Sequence, residues 1–350
     1  MNKRHAYCIL LAGGRGERFW PLSRRIRPKQ CLKLFSKMTM IEEGVNRLTS
    51  IFEGKKIFIS TGKNLEKYFK KLLPHTPMVI EPEGRDTAAC IGLATLKIFD
   101  QDPEAQIFVE TTDHLYPEKQ KYVSFIQSAL PLTALNKIIL IGITPTSPHT
   151  GYGYIKIGQS LGDDVFQVDQ FREKPDKTTA QDYLQSGGYL WNSGMFIFKA
   201  RVLLDNIEKY QPALHEGLQK IYKSGFKESV LTREFKKFPR ISIDYGLIEK
   251  SQNTAVLKAD FAWEDVGDWR TMYRLGKNDK AGNVLYGSGI FLDSRNNLFF
   301  GKRFVGMLGV ENLIVVEAED ALLITTHAAV GRLKDLVSLL NQDRQAQRYL

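Results

Sequence analysis

Residues 10–30 read LLAGGRGERFWPLSRRIRPKQ. The apolar run 6–12, AYCILLA, leads directly into three glycines within four positions, and five Arg or Lys follow before Gln30. Glycines let backbone N–H groups approach phosphate oxygens closely, so the stretch reads as a strand followed by an anion-holding loop. A plain glycine turn edged with surface arginines is the alternative. Two familiar phosphate loops are excluded. Phe19 stands where a dinucleotide fingerprint beginning at Gly14 and Gly16 needs its third glycine, and no Gly-Lys-Ser/Thr closes a Walker A loop. Pro21 and Pro28 deny an extended helix directly after the strand, so no long helix N-terminus is offered to a pyrophosphate.

Outward from this loop, short Ile- and Val-rich runs alternate with helical patterns. Strands are expected at AYCILLA, KIFIS, MVI, QIFVETT and KIILIGI, with helices near 41–49, 64–73, 88–99 and 119–130. In the third helix Asp86 or Thr87 is the expected cap, and the run 100–103 the stop. Such βαβ alternation with unbroken apolar strands predicts an α/β fold: a Rossmann-like, mostly parallel sheet with helices on both faces. From 150 the pattern becomes GYGYIKIG and VFQVDQF, a helix at 177–186, the strand WNSGMFIF and helices to about 237. After 280, short strands separated by Gly, Asn and Asp turns predict a small, solenoid-like β unit. A closing helix follows, with Val330, Leu333, Leu336, Val337 and Leu340 on one stripe. The stripe packs on its own domain in the first reading and serves a homodimer contact in the second. The expected domains are 1–280 and 281–350.

Composition narrows the function. The chain has 350 residues, 43% hydrophobic and 25% charged, which is ordinary globular usage. No apolar run reaches the roughly 18 residues of a spanning helix, so no membrane partner is expected. The apolar run 6–12 is short and ends in glycines and arginines, which suits a first strand rather than a secretory leader and implies a cytoplasmic protein. Cys8, Cys31 and Cys90 share no metal-ligand spacing and suit a reducing compartment as buried small residues. The net charge of +10 is concentrated: residues 1–75 hold 17 Lys or Arg against 5 Asp or Glu. A nucleic-acid-binding arm or a pocket for a polyanionic small molecule would each produce that bias. The absence of interleaved aromatic platforms weighs against nucleic acid.

Ligands in open α/β sheets bind beyond the carboxyl ends of the strands, so residues just after each strand are the candidates. Asp113 follows QIFVETT at that edge, where a carboxylate suits Mg²⁺, and serves equally as a turn residue. His114 beside it suits an orienting hydrogen bond better than a metal bond, since Mg²⁺ does not favour imidazole. Glu173 and Lys174 in FREKP point to opposite sides if extended, which makes a poor ion pair and a good means of meeting two ligand groups. Trp191 and Phe196 read as core.

Taken together, LAGGRGERFWPLSRRIRPKQCLKLF resembles the signature of sugar-1-phosphate nucleotidyltransferases, and among them the mannose-1-phosphate guanylyltransferases. EPEGRDTAAC, TGYGYI, FREKP, WNSGMF, SIDYGLIEK and WEDVGDW follow in that family's order, covering nearly the whole chain. Asp86 stands where Asn is usual, and His149 where an acidic residue is usual. The resemblance implies a GT-A-like nucleotidyltransferase domain over 1–280 that makes GDP-mannose and pyrophosphate from GTP and mannose 1-phosphate. It implies Arg18 and Lys29 as catalytic cations. Nucleotide binding falls to Leu11, Ala12, Gly13, Gly14, Gly16, Glu81, Arg85 and Asp86, and sugar-phosphate binding to Gly153, Glu173, Lys174 and Asn192. Asp113 and Asp265 are implied as Mg²⁺ ligands; Glu264 and Asp268 nearby read as solvent-facing or structural. Arg15, Arg24, Arg25 and Arg27 remain as electrostatic background. The length leaves no room for the isomerase domain that some relatives carry, so a single transferase activity is expected. A transferase for another sugar or NTP, and a silent nucleotide-sugar-binding paralogue, are the competing readings.

Overall fold

The computed structural model describes residues 3–14 and 16–350; Arg15, one of the background cations, lies outside them. Packing groups the chain into two compact units, neither continuous in sequence. The first takes residues 1–13, 42–112 and 116–263, and the second 14–41, 113–115 and 264–350.

The first unit is built on a nine-stranded sheet. Its order is Met78–Glu81, Ile57–Gly62, Ala6–Leu11, Gln106–Thr111, Tyr189–Lys199, Ile138–Ile143, Thr254–Lys258, Val165–Arg172 and Gly153–Gly162. All strands run one way except Tyr189–Lys199 and Val165–Arg172, so the sheet is mixed but mostly parallel. The central strands are covered on both faces, which is why they read as unbroken apolar runs, while Gly153–Gly162 and Val165–Arg172 at one edge are half-exposed and carry polar residues. All six residues of Ile138–Ile143 are buried. On one face Tyr7, Ile9, Ile107 and Val109 join one cluster with residues of helices Asp86–Gln101, Ala200–Tyr210 and Pro212–Lys223. On the other, Phe108 stacks on Phe52 with ring centroids 6.1 Å apart.

That second face also holds buried charge. Arg47 hydrogen-bonds Glu110, whose other oxygen accepts the Tyr122 hydroxyl at 2.6 Å, and the guanidinium lies 4.6 Å from the Tyr116 ring centroid. Burial works against the charged guanidinium, and the Glu110 carboxylate together with Tyr122 and Tyr116 more than offsets it, leaving the Arg47 pKa raised.

The second unit contains a four-stranded sheet, Val284–Leu292, Leu298–Leu308, Leu313–Glu317 and Leu322–Thr326. Its first three strands are parallel, pairing Val284 with Leu298 and Leu298 with Ile314. This is a solenoid coil, as the turn spacing predicts. Asn side chains climb its corner: Asn297 Nδ2 donates to Asn283 Oδ1 at 3.0 Å, and Asn297 Oδ1 accepts from Leu313 N at 2.9 Å. In the closing helix, Leu333–Gln342, Leu333 is buried with Val330, and Val337 and Leu340 pack on the same cluster. Four of the five stripe residues therefore pack within their own unit, and Leu336 is exposed. Among the described residues no helix is long and apolar enough to cross a membrane.

Candidate active site

The second unit holds the cationic loop together with the proposed metal carboxylates. Gly14 and Gly16 take positive φ, +90° and +64°, which L side chains rarely adopt. Gly16 is also sterically obligatory: a Cβ there would stand 2.5 Å from Lys29 Cβ and 2.7 Å from its backbone N. With helix growth denied by the prolines, the loop folds as two short 3₁₀ turns, Glu17–Phe19 and Lys29–Cys31, the first of them closed by Ser23 Oγ donating to Gly16 O at 2.6 Å. Lys29 is buried, with Nζ 3.0 Å from Asp113 Oδ2 and 5.3 Å from the Phe19 ring centroid. Buried lysines are rare unless paired, and here the pair joins a loop cation to a proposed metal ligand.

A two-stranded ladder, His114–Leu115 against Glu264–Asp265, brings distant segments together, with Asp265 opposite His114. Val266 N donates to Asp113 O at 3.0 Å. One ligand atom from each of Asp113, His114 and Asp265 lies within 4.8 Å of the others. Two carboxylates suit a hard divalent cation, and the ammonium already beside Asp113 marks a place where positive charge is accepted. Arg18 and Asp265 both border Gly267: a Cβ there would stand in ordinary contact, 3.6 Å from Asp265 Oδ2 and 3.7 Å from Arg18 Nη1. Glu264 pairs with Arg274. Asp268 caps helix Trp269–Leu275 by accepting from Arg270 N and Thr271 N, the structural part expected of it.

The first unit holds the other site residues. Beyond strand Ala6–Leu11, Ala12 N donates to Ser60 O at 2.9 Å, and Thr112 N to Leu11 O at 3.1 Å. A Cβ on Gly13 would meet nothing within 4 Å. Glu81 ends its strand buried, and burial pushes its carboxyl from the ordinary 4.5 to about 7. Arg85 bonds the carbonyls of Lys236 and Phe238 and pairs with Glu83. The cap expected from Asp86 or Thr87 is not made. Asp86 is itself the first helical residue, at φ +67°, and accepts from Thr87 N, while Thr87 Oγ1 accepts from Ile243 N. Asn and Asp are the non-glycine residues that tolerate this φ best, so Asp in the usual Asn place is a conservative exchange for the backbone.

Gly153 and Asn192 face each other across a strand pair. A Cβ on Gly153 would stand 2.4 Å from Glu173 Oε2, a buried oxygen with no hydrogen-bond partner among the described residues. A desolvated carboxylate oxygen of this kind is a strong acceptor waiting for a donor. Glu173 and Lys174 do not diverge as the extended reading has it. Lys174 takes φ +47°, and its Nζ turns back to Glu173 Oε1. The sequence reading assigned no role to Asp244, which accepts from Asn192 Nδ2 at 2.8 Å and sits in a π-helical turn, Asp244–Ile248. Burial and the nearby Glu173 push its carboxyl from 3.8 to about 7. Its place inside SIDYGLIEK was the available signal, but the π turn that aims it leaves no periodic trace. His149 stacks on Tyr152 with centroids 3.8 Å apart, and Tyr152 meets Trp191 edge-on.

A family model described as nucleotidyl transferase matches residues 7–282. The chain belongs to the nucleotidyl transferase family. The xanthan biosynthesis protein XanB of Xanthomonas campestris pv. campestris (strain B100) is 35% identical over 338 residues, 94% of this chain and 72% of that protein. A mannose-1-phosphate guanylyltransferase of Escherichia coli (strain K12) is 33% identical over 358 residues, 98% of this chain and 75% of that one. A solved structure from Thermus thermophilus, described as a mannose-1-phosphate geranyltransferase, superposes with a TM-score of 0.89 at 30% identity, covering 96% of this chain and 99% of that one. The resemblance drawn from the motifs thus stands for this nucleotidyltransferase.

Two results are expected from the first-unit geometry. Gly153→Ala displaces the Glu173 carboxylate; if Glu173 meets the sugar, as the resemblance implies, misplacement of about 1 Å, which can cost about 10²-fold, should lower kcat/KM for the sugar phosphate by about that much while nucleotide KM is unchanged. Steady-state titration of each substrate separates the two. Glu81 binds its proton more tightly folded than unfolded, so its contribution to stability is present below about 4.5 and is lost as pH rises through about 7. Glu81→Gln should flatten denaturant stability across that window in part, since Asp244 adds a loss of the same sign.

Proposed function

We propose that the chain transfers GMP from GTP to mannose 1-phosphate, giving GDP-mannose and pyrophosphate. The observation that carries this reading is the pairing of Lys29 with Asp113, beside His114 and Asp265, on a chain whose relatives include mannose-1-phosphate guanylyltransferases. Residues 1–280 form the catalytic domain in this reading and 281–350 a β domain; the family match over 7–282 supports that boundary. The nucleotide substrates and three buried free cysteines suit the cytoplasm.

The attacking group is a phosphate oxygen of the sugar phosphate, already anionic, so no protein nucleophile or general base is required. It bonds to the α-phosphorus of GTP while the bond from that phosphorus to the bridging oxygen breaks and pyrophosphate departs with the electron pair. The task left to the protein is to align two polyanions and neutralise charge as it redistributes. Glu173 and Asn192 hold sugar hydroxyls, Gly153 leaves them room, and Lys174 holds the sugar phosphate. Arg18 and Lys29 face the transferring and departing phosphates. Backbone groups from Leu11, Ala12, Gly13, Gly14 and Gly16 line the nucleotide, with Glu81 and Asp86 toward the nucleoside and Arg85 fixing their segment. Asp113 and Asp265 are the ligands for Mg²⁺, which when bound supplies charge neutralisation to phosphate oxygens.

Pyrophosphate release measured across four NTPs and several sugar 1-phosphates with Mg²⁺ tests the reading. GTP with mannose 1-phosphate should give the highest kcat/KM; release only from another pair would replace the proposed substrates. In the same assay Asp113→Asn should abolish the response to Mg²⁺, and a titration matching wild type would remove Asp113 from the metal site.

A further inference from the structure

The loop that carries Arg18 and Lys29 has little regular structure, so most of its backbone must be held by side chains and neighbouring carbonyls. One side chain does this at three points. Arg24, a mostly buried cation, donates through Nε to Pro21 O at 2.7 Å, through Nη1 to Tyr349 O, and through Nη2 to Asp320 Oδ1 at 2.6 Å. Its backbone closes a turn with Arg27, each N–H donating to the other's carbonyl at 2.9 and 3.0 Å, immediately before Pro28 and Lys29. Tyr349 O also accepts from Trp20 Nε1 at 2.9 Å, two residues after Arg18.

We propose that Arg24 is a positioning residue for the phosphate-handling cations: it fixes the loop between Arg18 and Lys29 to the hairpin turn at Asp320 and to the terminal segment at Tyr349. It is not electrostatic background, because its guanidinium is spent on three oxygen acceptors. The planar fork matters, since a lysine ammonium at the same place lacks the spread of donors to reach all three. The β unit and closing segment thereby act as the frame of the loop. This rests on the function proposed above for Arg18 and Lys29, so the test includes a readout that does not depend on turnover.

The experiment compares Arg24→Met, Arg24→Lys and Asp320→Asn with wild type in the full chain. Hydrogen exchange by mass spectrometry should show faster exchange in Arg24→Met confined to peptides from 16–31, with peptides from 153–199 unchanged. With GTP and mannose 1-phosphate, Arg24→Met should lower kcat about 10- to 100-fold with the KM for mannose 1-phosphate within twofold of wild type. Arg24→Lys should recover only part of this. Asp320→Asn, an exposed change safe for the fold, should lower kcat more weakly, and combining it with Arg24→Met should add nothing further. Unchanged exchange over 16–31 in Arg24→Met overturns the inference, as does faster exchange there with wild-type kcat. Wild-type enzyme without turnover on any nucleotide and sugar phosphate would refute the proposed function instead, and the exchange result would still decide whether Arg24 holds the loop.

Discussion

Lys29→Ala should reduce turnover by about 10³- to 10⁵-fold while leaving a folded protein. The range is that of a catalytic arginine stabilising charge in phosphoryl transfer, the part proposed above for Lys29. It is buried, held over Phe19, and directed at Asp113, so its position is set before substrate arrives. Removing it also leaves the Asp113 carboxylate without its neighbouring cation. The signature expected is a fall in kcat larger than any change in either KM, read in a pyrophosphate-release assay. Arg18→Ala belongs to the same class. A folded Lys29→Ala enzyme with turnover near wild type would remove the loop from the catalytic machinery.

Glu110→Ala should cost about 3–5 kcal/mol of stability, because it strands the buried Arg47 guanidinium without its carboxylate. Both side chains are almost fully buried, at 6% and 0% exposure, so water cannot replace the lost partner. For a domain of this size each kcal/mol shifts Tm by roughly 2–4 °C, so a fall of roughly 6–20 °C is expected in thermal unfolding. The double variant Arg47→Met/Glu110→Leu should recover most of that loss, since apolar residues of similar volume often replace a buried ion pair at little cost. If the double variant is as unstable as the single one, the damage comes from packing around Tyr116 and Tyr122 rather than from unpaired charge.

The centre of the sheet was legible because its strands are buried on both faces. Runs such as KIILIGI carry their own signature, and the helix 177–186 matches the expected span to the residue. Long-range pairing was not legible. Nothing local in the sequence brings Asp113 within reach of Lys29, 84 residues away, or pairs His114 with Asp265. The strand edge nominated Asp113 and His114, motif resemblance nominated Lys29 and Asp265, and the fold supplied the contact. Two readings changed with the structure, one for a local cause and one for a distant one. An extended backbone was assumed for Glu173 and Lys174, and the left-handed Lys174 undoes that assumption. Arg24 looked like one charge in a dense patch because its acceptors, at Asp320 and Tyr349, are some 300 residues downstream.

The central claim is guanylyl transfer to a sugar phosphate by direct displacement. Incubation with GTP labelled at the α-phosphorus, mannose 1-phosphate and Mg²⁺, followed by separation of products, tests it most directly. The predicted result is label in GDP-mannose, matched one to one by pyrophosphate, with none retained covalently on the protein. No label in a nucleotide sugar would contradict the proposed reaction, and label trapped on the chain would contradict the direct displacement.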